Sequence, residues 1–204
     1  MGKAANSSIS LKQIHVTDNF WNKYVHLVKD VIIPYQWDIL NDKLEDVETS
    51  HCIENFKIAA GEKEGEFQGA VFQDTDVAKW LEAVGFVLNY ERDEKLEELA
   101  DETIELIGRA QQPDGYLNTY FTIKEPDGRW SNLMEGHELY TAGHMIEAAV
   151  AYYEATGKRR FLEIVSKFAD LVCQTFGSEE GKNPWISGTS GNRTGTCKAL
   201  PCNT

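Results

Sequence analysis

The sequence predicts an all-α fold built of helical hairpins. Five segments carry apolar residues at the 3.6-residue spacing of an amphipathic helix, and none of the five alternates as a strand does. Short connections at 91–94 and 155–159 join two pairs of these segments, which favours antiparallel neighbours. The two hairpins repeat loosely at a spacing of 63 to 69 residues, so a ring or stack of hairpins is the expected architecture.

The first predicted helix begins at Thr17 or Asp18, either of which can cap it, and it carries Pro34 within its apolar pattern. Because a proline ring displaces the carbonyl group four residues back, we expect a kink there. The apolar positions of the other four helices run from 77 to 88, 96 to 110, 139 to 153 and 161 to 172.

One segment interrupts the helices. Residues 116–123 alternate like an extended chain between Pro-Asp-Gly turns at 113–115 and 126–128. The segment is rich in aromatic and amide side chains, and Trp130 and Asn132 follow it directly before the fourth helix. Loops on a rigid helical scaffold often carry binding groups, so we expect ligand contacts here.

Composition limits the class of partner. The chain has 204 residues and a formal net charge of −13, which argues against a nucleic-acid partner and against an anionic membrane surface. No segment approaches the roughly 20 apolar residues of a membrane helix, and no secretory signal is expected. Four scattered cysteines favour reduced thiols and a cytoplasmic protein. A neutral small molecule suits this charge best, and the oligomeric state is not indicated.

The last residues differ from the rest. Residues 1–181 hold all 33 acidic residues and 17 basic ones, whereas residues 182–204 hold three basic residues and no acidic one. We therefore expect residues 1–182 to form one unit, and residues 183–204 to be an aberrant, disordered tail. Cys197 and Cys202 in this tail lack the second ligand pair of a zinc site.

The densest group of polar residues surrounds the start of the fourth helix. His137, Tyr140 and His144 share a helical face, with Trp130 just before them. The two histidines stand about 10 Å apart along the axis at 1.5 Å per residue, too far to share one zinc ion. A hydrogen-bonding wall for a polyhydroxylated ligand fits better. The alternative is that the histidines only satisfy backbone groups at a buried helix start.

Two further pairs are weaker candidates. Gln36 and Trp37 follow the expected kink, where side chains often line a pocket, although residue statistics favour a packed aromatic beside a surface amide. Asp74 and Asp76 precede the second helix, where we expect them to cap it and to complement its dipole.

Four separated motifs, taken together and in order, resemble the β-L-arabinofuranosidase-type glycoside hydrolases of family 127. They are VIIPYQW at 31–37, DTDVAKWLEA at 74–83, QQPDGYLNTYF at 111–121 and HELYTAGHMIEA at 137–148. The resemblance runs from about Leu11 to Lys182. It departs at Thr141, where the family often has a small residue or cysteine, and we expect little effect.

The resemblance implies the first portion of an (α/α)6 barrel that hydrolyses β-L-arabinofuranosyl residues with retention. It implies a zinc-bound cysteine thiolate as nucleophile and a glutamate as acid/base, all supplied by later sequence, so this chain alone holds no catalytic residue and is expected to be inactive. Gln36 and His137 align with positions that contact the sugar. With Trp130 and Tyr140 they form the expected substrate-binding set, for an arabinofuranosyl-containing oligosaccharide.

The resemblance also bears on the tail. Read one nucleotide later, degenerate codons for residues 183–204 permit a continuation typical of the family, so we expect a slipped reading frame near Lys182. Two other functions stay open: a carbohydrate-binding helical fragment without catalysis, and another hairpin-barrel enzyme acting on sugars. A partial barrel is also expected to expose an apolar edge and to aggregate.

Overall fold

A computed structural model of the chain describes residues 9–183. Within them the chain forms nine α-helices and no strand, apart from one isolated bridge between Phe176 and Asn183. The helices are α1 (Trp21–Leu27), α2 (Ile33–Leu40), α3 (Cys52–Ala59), α4 (Asp74–Tyr90), α5 (Glu94–Ala110), α6 (Thr119–Ile123), α7 (Leu133–Gly136), α8 (Glu138–Thr156) and α9 (Arg160–Thr175). The all-α prediction is confirmed, and α4, α5, α8 and α9 lie where the apolar spacing placed them.

The first predicted helix is divided in two. The helix begins at Trp21, later than the predicted start at Thr17 or Asp18, and Asp18 Oδ1 accepts hydrogen bonds from the backbone N–H groups of Phe20 and Trp21 at this start. A π-helical turn, Val28–Ile32, then separates α1 from α2, directly before Pro34. The interruption is physically expected because proline has no N–H and removes one bond from the helical ladder.

Four long helices form two layers. Lys79 of α4 lies over the ring of Tyr140 in α8, and Gly85, further along α4, lies against Ala151, further along α8. The two helices therefore run parallel. α5 and α9 also run parallel, because Gly108 lies against Arg160, and the Gln111 side chain just after α5 donates a hydrogen bond to the carbonyl group of Ile164. Parallel inner helices with antiparallel return helices are the arrangement of part of an (α/α) barrel.

The closest approach of α4 and α8 depends on a glycine. A Cβ atom added at Gly85 would lie 2.9 Å from the carbonyl carbon of Ala151 and 2.9 Å from the amide nitrogen of Tyr152. No real Cβ atom sits that close to backbone, so only glycine allows this separation. Around this contact lies the core, whose fully buried side chains include Leu81, Met145 and Phe168.

The loop between α5 and α8 differs from its prediction. The extended assignment for residues 116–123 is wrong, because Thr119–Ile123 is helical. The helix forms because Asn118 Oδ1 accepts the Phe121 N–H, while the buried Asp74 carboxylate accepts the Thr119 N–H at 2.7 Å and its hydroxyl at 2.5 Å. The capping role predicted for Asp74 is therefore also wrong, since its carboxylate serves α6 rather than its own helix.

The carboxylate of Glu138 binds both ends of the loop between α5 and α8 through hydrogen bonds. Its fully buried carboxylate accepts the Tyr116 hydroxyl at 2.5 Å and the Trp130 N–H at 2.8 and 3.0 Å. Trp130 and His137 both adopt left-handed backbone conformations, with φ of 62° and 54°. His137 therefore lies between α7 and α8, and not within the continuous helix that its spacing predicted.

An apolar surface runs along α1, the π-helical turn and α2. Its exposed residues are Phe20, Trp21, Tyr24, Leu27, Val28, Val31, Ile32 and Tyr35. An exposed apolar edge was expected of a partial barrel, and aggregation through it stays a prediction. No described helix combines the length and apolar character needed to cross a membrane. The expectations for the tail, including Cys197 and Cys202, fall almost entirely on residues 184–204, outside the described residues.

A paired glycine experiment tests the α4–α8 contact. We expect Gly85→Ala to lower the free energy of unfolding by about 1–3 kcal/mol, because the added methyl group overpacks a backbone contact. Gly143→Ala is the matched control on α8, where an added Cβ meets nothing within 4 Å. It should stabilise by up to about 1 kcal/mol through helix propensity. Equal effects in denaturant unfolding would contradict the assigned contact.

The buried Asp74 predicts a pH dependence of stability. Burial raises the pKa of Asp74 to about 6 from the ordinary 3.8, and the two bonds from Thr119 only partly oppose this. The folded state therefore binds a proton more readily than the unfolded state between about pH 4 and 6, so stability falls as pH rises through this range. Asp74→Asn should reduce that fall, whereas the exposed Asp46→Asn should not. Identical pH profiles for both variants would refute the assignment.

Candidate functional site

A pocket of about 780 Å³ opens between α2 and α4. This volume falls within the range of small-molecule sites. Its walls come from α2, α4, and the segments around residues 48–50 and 69–73. The polar side chains that line it are Gln36, Glu48, Thr49, Ser50, Gln73, Asp76 and Lys79.

Two tryptophans join the helices beneath the pocket. The rings of Trp37 and Trp80 lie 4.5 Å apart at 32°, and Trp80 Nε1 donates to the carbonyl group of Ile33 at 3.1 Å. Trp80 is buried, whereas the neighbouring Gln36 is exposed and lines the pocket. Trp37 is thus a packed aromatic, as its simpler interpretation held, and its packing holds Gln36 at the pocket surface.

Asp76 and Lys79 form the charged side of the pocket. Lys79 Nζ lies 3.9 Å from Asp76 Oδ1 and 3.3 Å from Thr75 Oγ1, and Gln73 Nε2 donates to Asp76 Oδ2 at 3.4 Å. Burial raises the pKa of Asp76, and the charge of Lys79 opposes that rise. The pocket therefore presents a carboxylate, an ammonium and an amide side by side, which suits a ligand with several hydroxyl groups.

A cysteine lies behind the pocket wall. Cys52 Sγ accepts hydrogen bonds from Ser50 Oγ at 2.8 Å and Gln73 Nε2 at 3.4 Å. Burial raises the pKa of this thiol to about 12. A thiol that stays protonated at neutral pH is a poor nucleophile, so Cys52 has a structural role here.

His137 presents one ring nitrogen to a ligand. Its Nδ1 lies 2.7 Å from the carbonyl oxygen of Glu135, which can only accept a hydrogen bond, so Nδ1 carries the proton. In the neutral ring, Nε2 is then an acceptor. Phe72 and Tyr140 flank the ring at centroid distances of 5.3 and 5.8 Å. His137 thus satisfies a backbone group, as its alternative interpretation held, and its half-buried ring keeps Nε2 as a hydrogen-bond acceptor.

Tyr140 connects this histidine to the pocket. Its ring packs against His144 at 4.5 Å and lies beneath the ammonium group of Lys79, which lines the pocket with Gln36. Three of the four predicted site residues, Gln36, His137 and Tyr140, therefore lie along one connected surface. We call the surface made by Gln36, Lys79, Tyr140 and His137 the polar wall.

Trp130 lies elsewhere. Its ring packs against Tyr116, Phe168 and Phe176 at centroid distances of 5.2, 6.3 and 5.3 Å. The residue is half-buried and does not line the pocket. The predicted contact between Trp130 and a sugar therefore stays a prediction, without support from its position.

Sequence reasoning missed several residues of the site. Ser50, Gln73 and Lys79 line the pocket, and none of them was named as a candidate, although Lys79 falls within the DTDVAKWLEA motif at 74–83. Gln73 and Lys79 flank the DTD triplet at 74–76, which was the nearest available signal. Ser50 lies before a short helix, α3, that apolar periodicity did not predict.

Several known proteins are similar to this chain in sequence and in fold. Residues 13–199 match the profile of the GH127 catalytic domain, described as β-L-arabinofuranosidase. A non-reducing end β-L-arabinofuranosidase of Bifidobacterium longum subsp. longum is 42% identical over 195 residues, covering 88% of this chain and 29% of that protein.

Two solved structures are similar over 87% of this chain and 28% of each of their own chains. A GH127 β-L-arabinofuranosidase of Geobacillus stearothermophilus is 61% identical with a TM-score of 0.85. A second GH127 β-arabinofuranosidase is 35% identical with a TM-score of 0.79. The chain thus spans less than a third of the length of these relatives. From the profile match and these identities, the chain belongs to the GH127 glycoside hydrolase family and forms part of its helical catalytic domain.

Proposed function

We propose that this chain supplies the sugar-binding wall of a retaining β-L-arabinofuranosidase. The observation that carries the proposal is the polar wall itself, which joins Gln36 to His137 through Lys79 and Tyr140. Sugar hydroxyls donate and accept hydrogen bonds, and the wall offers both kinds of partner. Membership of GH127 supports a β-L-arabinofuranosyl group as the ligand, within an oligosaccharide.

The chemistry of bond cleavage is assigned to other residues. The family resemblance implies a zinc-bound thiolate, but the donors in the described residues do not fit one. The one cluster of at least three potential metal ligands among residues 9–183 contains no cysteine, and Cys52 is a buried, protonated thiol. We therefore place the nucleophile, the acid/base and the zinc ligands outside the described residues, and derive no step through zinc.

A cytoplasmic location is part of the proposal. Cys52 is a reduced thiol held by Ser50 and Gln73, and such buried thiols are typical of proteins in a reducing compartment.

Removing His137 should weaken sugar binding. We expect His137→Ala to reduce the affinity for methyl β-L-arabinofuranoside about tenfold, because one hydrogen bond of about 1.4 kcal/mol corresponds to that factor. Isothermal titration calorimetry on the full chain measures the change. His26→Ala is the matched control, since this histidine lies on the exposed face of α1, far along the chain from the wall.

Equal affinities for the wild type and His137→Ala would contradict the proposal. The same preparations should be assayed with a chromogenic β-L-arabinofuranoside. Turnover above background by the 204-residue chain would overturn the assignment of cleavage to other residues, while leaving the binding role intact.

A further inference from the structure

Three potential metal ligands converge on the inner helices, next to the polar wall. Glu82 of α4 and His144 and Glu147 of α8 are each half-buried. One ligand atom from each, two carboxylate oxygens and an imidazole nitrogen, all lie within 4.8 Å of one another. The parallel pairing of α4 and α8 brings them together, because Gly85 holds the two helices in contact one turn further along α4.

The spacing suits coordination of one ion. His144 Nδ1 lies 3.7 Å from Glu147 Oε2, too long for a hydrogen bond. Two ligands at 2.0–2.2 Å from a tetrahedral zinc ion stand roughly 3.3–3.6 Å apart. The donors of His144 and Glu147 are therefore already close to the separation of two ligands on one ion, and the Glu82 carboxylate lies within 4.8 Å of both.

The imidazole nitrogen itself has no hydrogen-bond partner. His144 Nδ1 is buried from solvent and makes no hydrogen bond. A buried nitrogen of this kind costs free energy unless something binds it. The ring is held edge-on to Tyr140 at 4.5 Å, so the nitrogen is directed by packing.

The carboxylates also lack a nearby cation. Among residues 9–183, no lysine or arginine nitrogen lies within 4.0 Å of a carboxylate oxygen of Glu82 or Glu147. Lys79 is one turn before Glu82, but its Nζ atom instead lies 3.3 Å from Thr75 Oγ1 and 3.9 Å from Asp76 Oδ1.

The pKa shifts favour the neutral imidazole that binds metals, whereas a proton on Glu82 competes with the ion. Burial, together with Glu147, raises the pKa of Glu82. Burial and the charge of Lys79 lower the pKa of His144, with Glu147 opposing them, which favours the neutral ring that binds metals. A divalent cation would offset the repulsion between the two carboxylates.

We propose that Glu82, His144 and Glu147 bind one divalent transition-metal ion, such as Zn²⁺, with water completing its coordination. One nitrogen and two oxygen donors leave an open position, as in many zinc sites. The site contains no thiolate, so it differs from the zinc centre that the family resemblance implies. It does not rest on the proposed sugar-binding function.

Zinc titration of the full chain tests the proposal. The background is Cys197→Ser with Cys202→Ser, which removes the two tail thiols as competing ligands. Isothermal titration calorimetry should show one Zn²⁺ per chain in this background. We expect His144→Ala and Glu147→Gln each to weaken binding at least tenfold, while Glu102→Gln, an exposed glutamate on α5, leaves it unchanged.

Cobalt substitution gives a second readout that does not depend on a large affinity change. Co²⁺ at this site should show visible d–d absorption without a thiolate charge-transfer band, and His144→Ala should abolish it. Circular dichroism confirms that each variant is folded, and Glu82→Gln serves if either α8 variant is not. Absence of stoichiometric zinc binding, unchanged affinity in the folded variants, or a thiolate band would each overturn the proposal.

Discussion

The contact between α4 and α8 at Gly85 is the constraint on which the other features depend. It lets two inner helices run side by side at a distance that no larger residue permits. Because the two helices run parallel, residues that lie equally far along α4 and α8 are neighbours. Lys79 then meets Tyr140, and Glu82 meets His144 and Glu147. Both the polar wall and the proposed metal site follow from this single packing arrangement.

Two buried carboxylates attach the loops to this pair of helices. Asp74, at the start of α4, holds the first turn of α6, and Glu138, at the start of α8, holds the backbone of Trp130. Asp74 accepts both of its hydrogen bonds from Thr119, 45 residues away, whereas Glu138 accepts from Tyr116 and Trp130 and is also stabilised by the charge of Arg129. The left-handed conformation of His137 directly precedes Glu138, so the orientation of its imidazole ring depends on the same anchor.

The long helices could be predicted from sequence, whereas the short ones could not. A 3.6-residue apolar period identifies α4, α5, α8 and α9 because each buries one face. α6 has only five residues, and it forms because Asn118 and Asp74 bind its first turn. Residues near position 120 alternate, so local pattern favoured an extended chain. The contact that overrides this pattern is 45 residues away in sequence and leaves no periodic signal.

Some residues of the site could be predicted from the sequence, and others could not. Gln36 was indicated by its place after the expected kink, and His137 and Tyr140 by their shared helical face, and the resemblance to GH127 then aligned Gln36 and His137 with sugar-contacting positions. Lys79 and Glu82 fall within the DTDVAKWLEA motif, but no role was predicted for them, because they look like ordinary polar positions of an amphipathic helix until α8 is placed beside them. Trp130 packs against Phe168 and Phe176, and its predicted contact with a sugar stays a prediction that its position does not support.

The most direct test of the account is residue-resolved NMR of the chain titrated with methyl β-L-arabinofuranoside. We predict that the side-chain amide of Gln36, the ammonium of Lys79 and the imidazole of His137 shift together along one binding curve. Trp130 should not follow that curve. Shifts centred on Trp130 and Tyr116, or separate curves for Gln36 and His137, would contradict a single polar wall.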